Sequence, residues 1–128
     1  PGFMLVVSYN PGYQNLLKNL KPSTRQRFVA LAFSYPVPEV ERRIVQTEGG
    51  ADERLATRLV KLASALRHLT DQDLEETVST RLLVVAARLI ASGLPEAVAC
   101  RAAIVDALTD DPDTAQALQD VVQAMWGD

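Results

Sequence analysis

The feature that most constrains the fold is a stripe of leucines in the middle of the chain. Leu55, Leu59, Leu62, Leu66 and Leu69 recur at spacings of four and three residues, which aligns them on one face of an α-helix. A coiled-coil seam would need a longer run of heptads. The stripe therefore predicts an amphipathic helix that buries this face against neighbouring helices.

Residues 52–126 continue the helical pattern, with stop and start signals between segments. Gly93 and Pro95 separate two of the predicted helices, and the sequence Thr-Asp-Asp-Pro at 109–112 separates the next two. The helix predicted to begin after Ser79 is apolar nearly all round, which favours a central position. The whole region is interpreted as a four-helix unit with short connections.

A shorter helix is predicted ahead of this unit. Pro38 suits a first helical turn, Glu39 and Glu41 complement the helix dipole there, and Gly49-Gly50 is a stop signal. We place a domain division here, with residues 1–50 in one domain and 51–128 in the other.

Two apolar runs near the start predict buried strands. Phe3–Tyr9 and Val29–Tyr35 are continuous enough for a parallel sheet covered on both faces, and about 20 residues between them suffice for a crossover. Two strands do not make a stable sheet. We therefore expect more sheet upstream in a longer parent protein, and apolar surface that makes this piece associate. The predicted fold class is α+β, mostly α.

Charge is distributed unevenly along the chain. Residues 1–38 carry a net charge of +4 and residues 39–128 a net charge of −7. A basic segment on an acidic body favours an anionic ligand, although a surface loop without acids has the same composition. One cysteine and one histidine exclude an internal disulfide and a Cys/His metal site. No apolar run reaches the roughly 20 residues of a membrane span.

Three basic or amide side chains near the start are candidates for a phosphate site. Asn10 follows the first predicted strand, and Arg25 and Arg27 lie in a short turn that Ser23 is expected to cap. Ordinary loop polarity is the alternative.

Arg81 is the informative residue of the helical part. With Ser79 as N-cap, it lies in a first helical turn, where a cation opposes the helix dipole by about 0.3–1 kcal/mol. An anion bound at the helix N-terminus would remove this conflict. The alternative is an arginine paired with Glu75 or Glu76.

Other polar residues have structural interpretations. His68 is expected at the surface or boundary, Cys100 in the core, and the acidic residues of 110–113 at a helix cap. The 128 residues contain no Ser/His/Asp set and no G-x-x-x-x-G-K-[ST] phosphate loop.

Three ordered blocks carry a resemblance to a known family. They are FMLVVSYNPGYQ at 3–14, LKPSTRQRF at 20–28 and STRLL at 79–83, with GLP at 93–95 and LTDDP at 108–112 in support. The chain resembles the C-terminal half of the CbbQ/NorQ group of MoxR-type AAA+ ATPases. This resemblance implies remnant parallel strands of an AAA+ α/β core in residues 1–50, followed by a four-helix AAA+ lid in residues 51–128.

The resemblance also implies roles for the candidate residues. Asn10 is similar to the sensor 1 residue that orients the water attacking the γ-phosphate. Arg27 is similar to the arginine finger presented to a neighbouring subunit, and Arg25 could share or replace that role. Arg81 is similar to sensor 2, the lid arginine that contacts nucleotide phosphates. No metal ligand is assigned.

For the intact parent, the resemblance implies ATP and Mg²⁺ as cofactors, a ring that is expected to be hexameric, and a cytoplasmic location. The partners would be a von Willebrand A-type protein and a client enzyme, with Rubisco activation or nitric oxide reductase maturation as the type of activity. Without the phosphate loop, these 128 residues are not expected to hydrolyse ATP alone or to bind a nucleotide tightly.

Two other functions remain open. A helical protein-interaction module without nucleotide chemistry would need only the apolar stripes. A nucleic-acid binder would use the +4 segment, but the −7 on the remainder would repel a phosphate backbone. We expect no nucleic-acid partner and no membrane span.

Overall fold

The computed structural model describes residues 2–8, 21–70 and 77–126. The chain divides into two compact units, Pro1–Phe33 and Ser34–Asp128. In residues 2–8, 21–70 and 77–126, no helix combines the length and the apolar character needed to cross a membrane.

The first unit contains one short helix in its described part, α1 (Pro22–Arg25). Lys21, and not the expected Ser23, is its N-cap residue, because Pro22 occupies the first helical position and Ser23 lies inside the helix.

The two predicted strands are not confirmed. Residues 3–8 and 29–35 have no regular secondary structure, and the side chains of Phe3, Val29 and Phe33 are about nine-tenths exposed. A strand is stable only where neighbouring strands satisfy its backbone groups and cover its side chains. The described residues contain no neighbouring strand that could do this, and the two apolar runs lie at the surface. Exposed apolar surface was expected from the sequence.

The second unit is helical. Its described elements, in chain order, are α2 (Pro38–Gly49), α3 (Glu53–Thr70), α4 (Thr80–Ala91), α5 (Glu96–Cys100), a π-helical segment (Arg101–Val105), α6 (Asp106–Leu108) and α7 (Pro112–Trp126). The mostly helical fold is thus confirmed. The prediction of four helices after residue 51 is not confirmed, because residues 96–108 form three consecutive short segments. The helix α2, which was assigned to the first domain, packs against α3 and α4. The division at residue 50 stays a prediction.

Local backbone chemistry explains where the helices of this unit begin and end. Pro38 is the first residue of α2, and Gly50 ends that helix in the left-handed conformation with φ of 72°. The carboxylate Oδ1 of Asp52 accepts a hydrogen bond of 2.8 Å from the backbone N–H of Leu55 and so caps α3. Gly93, with φ of 109°, follows the end of α4.

The core lies between α2, α3, α4, the segments of residues 96–108, and α7. Its largest fully buried aliphatic side chains are Leu59, Leu62, Leu66, Leu83, Ile104, Val45, Val78, Val105 and Val122. Each such side chain contributes about 1.5–3 kcal/mol relative to an exposed one. The central position expected for α4 agrees with its buried residues Leu83, Ala86 and Ala87.

The leucine stripe is buried except at its end. Leu59, Leu62 and Leu66 are fully buried and Leu55 is half-buried, but Leu69 is 60% exposed. The stripe therefore extends about one helical turn beyond Leu66, the last of its leucines that other described residues cover.

The helices α2 and α4 approach each other closely at Gly49. A Cβ placed on Gly49 would lie 2.7 Å from the Cβ of Ala87, so the two backbones are closer than two alanines allow. The next residue of α4, Arg88, donates a hydrogen bond of 3.0 Å from its Nε to the backbone carbonyl of Glu48. The second half of α4 is thereby held against the C-terminal end of α2.

Candidate functional site

Arg25 and Arg27 lie on the turn formed by α1 and the residues after it. The backbone N–H of Arg27 donates to the carbonyl of Thr24 at 3.1 Å, and that of Phe28 donates to Arg25 at 3.2 Å. Both arginine side chains are exposed, and neither makes a hydrogen bond or an ion pair within the described ranges. Both are therefore open to a group from another molecule. Asn10 lies outside the described residues.

Arg81 is the second residue of α4, in the first turn as predicted. Ser79 is the N-cap residue, but its side chain makes no capping hydrogen bond, and no acidic residue lies in the first turn. Arg81 is exposed and makes no hydrogen bond or ion pair with any residue of the described ranges. The proposed alternative partners, Glu75 and Glu76, lie outside those ranges. Positive potential from the helix dipole and from the guanidinium thus coincide here.

This arrangement fits a phosphate group. An uncapped helix start presents backbone N–H donors, and an arginine beside it supplies charge and further donors in a planar fork. Because Arg81 opposes the dipole on its own, an anion at this position would relieve the conflict. The geometry supports an anion contact by Arg81.

A cluster around Arg67 lies just before this helix. Arg67 Nη2 and Nη1 donate to Glu41 Oε1 and Oε2 at 3.0 and 3.1 Å, and Arg67 Nε donates to the Val78 carbonyl at 2.9 Å. The ring of Tyr35 covers the guanidinium, and the guanidinium carbon Cζ of Arg67 lies 3.8 Å from the ring centroid. The Tyr35 hydroxyl also hydrogen bonds to Thr77 Oγ1. We call these five residues the Arg67 cluster.

This cluster was not predicted from the sequence. Glu41 was assigned to dipole compensation in α2, whereas its side chain is only 1% exposed and both its oxygens bind Arg67. One signal was present in the sequence: Glu41, Val45 and Gly49 are spaced by four residues and share the buried face of α2. An acidic residue on a buried face requires a cationic partner.

A shallow pocket of about 290 Å³ lies beside the Arg67 cluster. Its walls are Tyr35, Pro36, Pro38, Glu41, Val60, Ser64, Arg67 and His68. His68 is exposed, as expected, and its Nδ1 is 2.7 Å from the carbonyl of Ser64 in the preceding turn.

A second arginine of α3 has a similar set of partners. Arg58 Nη1 donates to Glu96 Oε2 at 2.9 Å, and Nη2 donates to the Met125 carbonyl at 2.7 Å. Its guanidinium carbon lies 4.7 Å from the centroid of the Trp126 ring. Arg58 thus connects α3 with α5 and the end of α7.

The remaining polar candidates have structural roles. Cys100 is fully buried, and burial together with nearby Glu96 raises the pKa of its thiol to about 12, so it is a core residue as expected. Asp111 Oδ2 accepts hydrogen bonds from the N–H and the hydroxyl of Thr114 at 2.8 and 2.7 Å, which caps α7 and lowers the pKa of the carboxyl. Among residues 2–8, 21–70 and 77–126, no three potential metal ligands gather.

The second unit is thus a helical domain that presents an arginine at an uncapped helix start. The family described as CbbQ/NirQ/NorQ C-terminal matches residues 41–125, two-thirds of the chain. The chain therefore belongs to the CbbQ/NirQ/NorQ family, which confirms the resemblance seen in its sequence.

Relatives of this family match nearly the whole chain. The denitrification regulatory protein NirQ of Pseudomonas aeruginosa is 62% identical over 95% of this chain and 47% of that protein. Protein NorQ of Paracoccus denitrificans is 54% identical over 99% of this chain and 47% of its own length. Protein CbbQ of Hydrogenophilus thermoluteolus is 48% identical over 98% of this chain and 47% of its own length. The chain spans about half the length of the curated relatives it matches.

Proposed function

We propose that the chain is the C-terminal part of an AAA+ ATPase that couples ATP hydrolysis to the remodelling or activation of a client protein. Residues 1–50 would complete the α/β core and residues 51–128 would form the lid. Family membership supports the class. The observation that carries the nucleotide assignment is Arg81, exposed at the uncapped start of α4 and without a partner in the described parts of the chain.

Each candidate residue has a distinct task in this proposal. Arg81 binds phosphate oxygens of the nucleotide held by its own subunit, and Asn10 orients the attacking water there. Arg27 or Arg25 reaches the nucleotide of the neighbouring subunit in a ring, which is expected to be hexameric. Positive groups aimed at developing charge stabilise the transition state of phosphoryl transfer, and an arginine finger contributes about 10³–10⁵ in rate where one is used.

ATP and Mg²⁺ are the proposed cofactors of the intact protein. Arg81, with the free N–H groups at the start of α4, is the part of this chain suited to ATP phosphates. Bound Mg²⁺ would neutralise charge on those phosphates. We assign no Mg²⁺ ligand to the described residues.

The proposed partners are those that the family resemblance of the sequence implies. A von Willebrand A-type protein and a client enzyme would bind the assembled ring, which would act in the cytoplasm. Identity is higher to the denitrification regulatory proteins NirQ, at 62% and 58%, than to CbbQ, at 48%. This order favours a client that acts in denitrification.

The test uses the intact protein with its upstream half. We expect Asn10→Ala and Arg27→Ala to reduce ATP turnover, and mixing Arg27→Ala with a hydrolysis-deficient, finger-intact subunit to restore part of it. Arg25→Ala in the same assay decides between the two arginines. Turnover at the parental rate in both Asn10→Ala and Arg27→Ala would refute these roles.

Arg81 needs a separate measurement of nucleotide affinity. We expect Arg81→Ala to weaken the binding of an ATP analogue, because a charge-assisted contact is lost. Arg54→Ala is the matched control: Arg54 is also exposed and without a partner in the described ranges, but lies in the first turn of α3. Equal affinities for the Arg81→Ala and Arg54→Ala proteins would refute a phosphate contact.

A helical interaction module is the second candidate. It is favoured by the core of the unit Ser34–Asp128, and by exposed Val85 and Val98 on its helices. This alternative predicts that residues 34–128 fold alone and bind a partner protein, and that Arg81→Ala changes neither nucleotide binding nor turnover in the intact protein.

A further inference from the structure

Arg67 holds the residues that lead directly into the helix bearing Arg81. Val78, whose carbonyl accepts the hydrogen bond from Arg67 Nε, is three residues before Arg81 and adjacent to the N-cap Ser79. The helix itself uses the next carbonyl along, since the N–H of Leu82 donates to Ser79 at 3.1 Å. The Arg67 contact is therefore an external tether on the start of α4 and not part of its hydrogen-bond ladder.

A second tether acts one residue earlier. The hydroxyl of Tyr35 hydrogen bonds to Thr77 Oγ1, while the Tyr35 ring lies on the guanidinium of Arg67. Consecutive residues are thus held by two side chains that also contact each other. Leu83 and Ala87 fix the body of α4 in the core and Leu82 packs against that core, whereas the residues before Leu82 are held by buried Val78 and these tethers.

Glu41 fixes the orientation of the Arg67 guanidinium. Its side chain is 1% exposed, that of Arg67 is 15% exposed, and two parallel N–H···O contacts join them. A bidentate pair of this kind defines the plane of the guanidinium as well as its position. With the plane fixed, Nε points at the Val78 carbonyl. A lysine could keep the charge beside Glu41 but could not make all three contacts.

We infer that Arg67 is a positioning residue for nucleotide binding: it fixes the start of α4 so that Arg81 is held ready for a phosphate. This inference rests on the proposed function, in which Arg81 contacts the nucleotide. Arg67 touches no phosphate itself. Its effect is to remove the ordering cost that a mobile first turn would impose on binding.

Arg58 provides a matched control on the same helix. Like Arg67, it contacts a carboxylate, a backbone carbonyl and an aromatic ring, but its partners Glu96, Met125 and Trp126 do not lead into α4. Arg58→Lys and Arg67→Lys therefore remove the same kinds of contact at two places. Only the second is expected to act on Arg81.

The experiment measures the affinity of the intact protein for an ATP analogue, together with the unfolding midpoint of each variant. We expect Arg67→Lys to weaken binding by roughly 2- to 30-fold relative to Arg58→Lys, the range typical of residues that couple to a site without touching it. In an Arg81→Ala background the effect of Arg67→Lys on affinity should vanish, while its effect on the unfolding midpoint should persist. Tyr35→Phe, a milder change that removes only the Thr77 tether, should weaken binding in the same direction.

The possible results distinguish the positioning role of Arg67 from the phosphate contact of Arg81. If Arg81→Ala weakens binding but Arg67→Lys weakens it equally with and without Arg81, Arg67 is only structural and the inference is wrong. If Arg67→Lys and Arg58→Lys have the same affinity, the inference is likewise wrong. If Arg81→Ala leaves affinity unchanged, the phosphate contact itself is refuted, and the positioning role with it.

Discussion

The close approach of α2 and α4 at Gly49 gives a quantitative prediction about stability. In Gly49→Ala the new Cβ would lie 2.7 Å from the Cβ of Ala87, although the next atoms, on Val84, would be at an ordinary 3.5–3.6 Å. Overpacking of this kind costs about 1–3 kcal/mol. Alanine regains up to about 1 kcal/mol of helix propensity. We expect a net loss of up to about 2 kcal/mol, which corresponds to at most roughly 16 °C in Tm for a domain of 60–100 residues.

A double-mutant cycle tests whether the clash is the cause. Ala87→Gly alone should destabilise by about 1–2 kcal/mol through lost helix propensity and a lost buried methyl group. Combined with Gly49→Ala it removes the opposing methyl, so the double variant should be more stable than the sum of the two single changes predicts. The assay is urea unfolding followed by circular dichroism, with both midpoint and slope fitted.

Gly50 is the matched control. A Cβ there meets nothing within 4 Å, but its φ of 72° is left-handed, so Gly50→Ala should cost about 1–2 kcal/mol through the backbone alone. Ala87→Gly should not rescue it. Additive effects of Gly49→Ala and Ala87→Gly would refute the clash as the reason for glycine at position 49.

Three further predictions concern other parts of the chain. The hydrogen bonds from Thr114 lower the pKa of Asp111, so its contribution to stability is present above the ordinary pKa of 3.8 and is lost as pH falls through the lower pKa of the folded state. Asp111→Asn should therefore reduce the pH dependence of the free energy of unfolding in that window. The Cys100 thiol, fully buried with a pKa of about 12, should react with a thiol reagent at pH 8 only as fast as the domain opens; immediate labelling would contradict this. Phe33→Asp should reduce self-association and hydrophobic-dye binding of the 128-residue chain, because Phe33 is 92% exposed; an unchanged sedimentation profile would count against it.

Helix boundaries were predictable because the residues that set them act locally. Pro38 fixes its own φ at the start of α2, and Gly50 adopts a left-handed φ at its end. Gly93 does the same after α4. None of these preferences depends on a distant partner, so the sequence alone was sufficient.

The Arg67 cluster was not predictable in the same way. Glu41 is 26 residues and Val78 is 11 residues from Arg67 along the chain, so the contacts depend on how α2, α3 and α4 pack. Leu69 shows the same limit, because periodicity defines the face of a helix but not where its neighbours end. The predicted strands are not confirmed, for a related reason: an apolar run indicates a buried strand only where other elements cover it.

The two arginines of α3 have a consequence for how the domain opens. Arg58 and Arg67 are nine residues apart, which is two and a half helical turns, so they project from opposite faces about 13 Å apart along the axis. Each arginine binds different elements, and the fully buried Leu59, Leu62 and Leu66 lie between the two arginines in the sequence. Fraying from either end of α3 must therefore break one arginine network before it reaches these leucines. Amide hydrogens between the two arginines should exchange only through global unfolding, while those of the last turn, beyond Arg67, exchange by local opening.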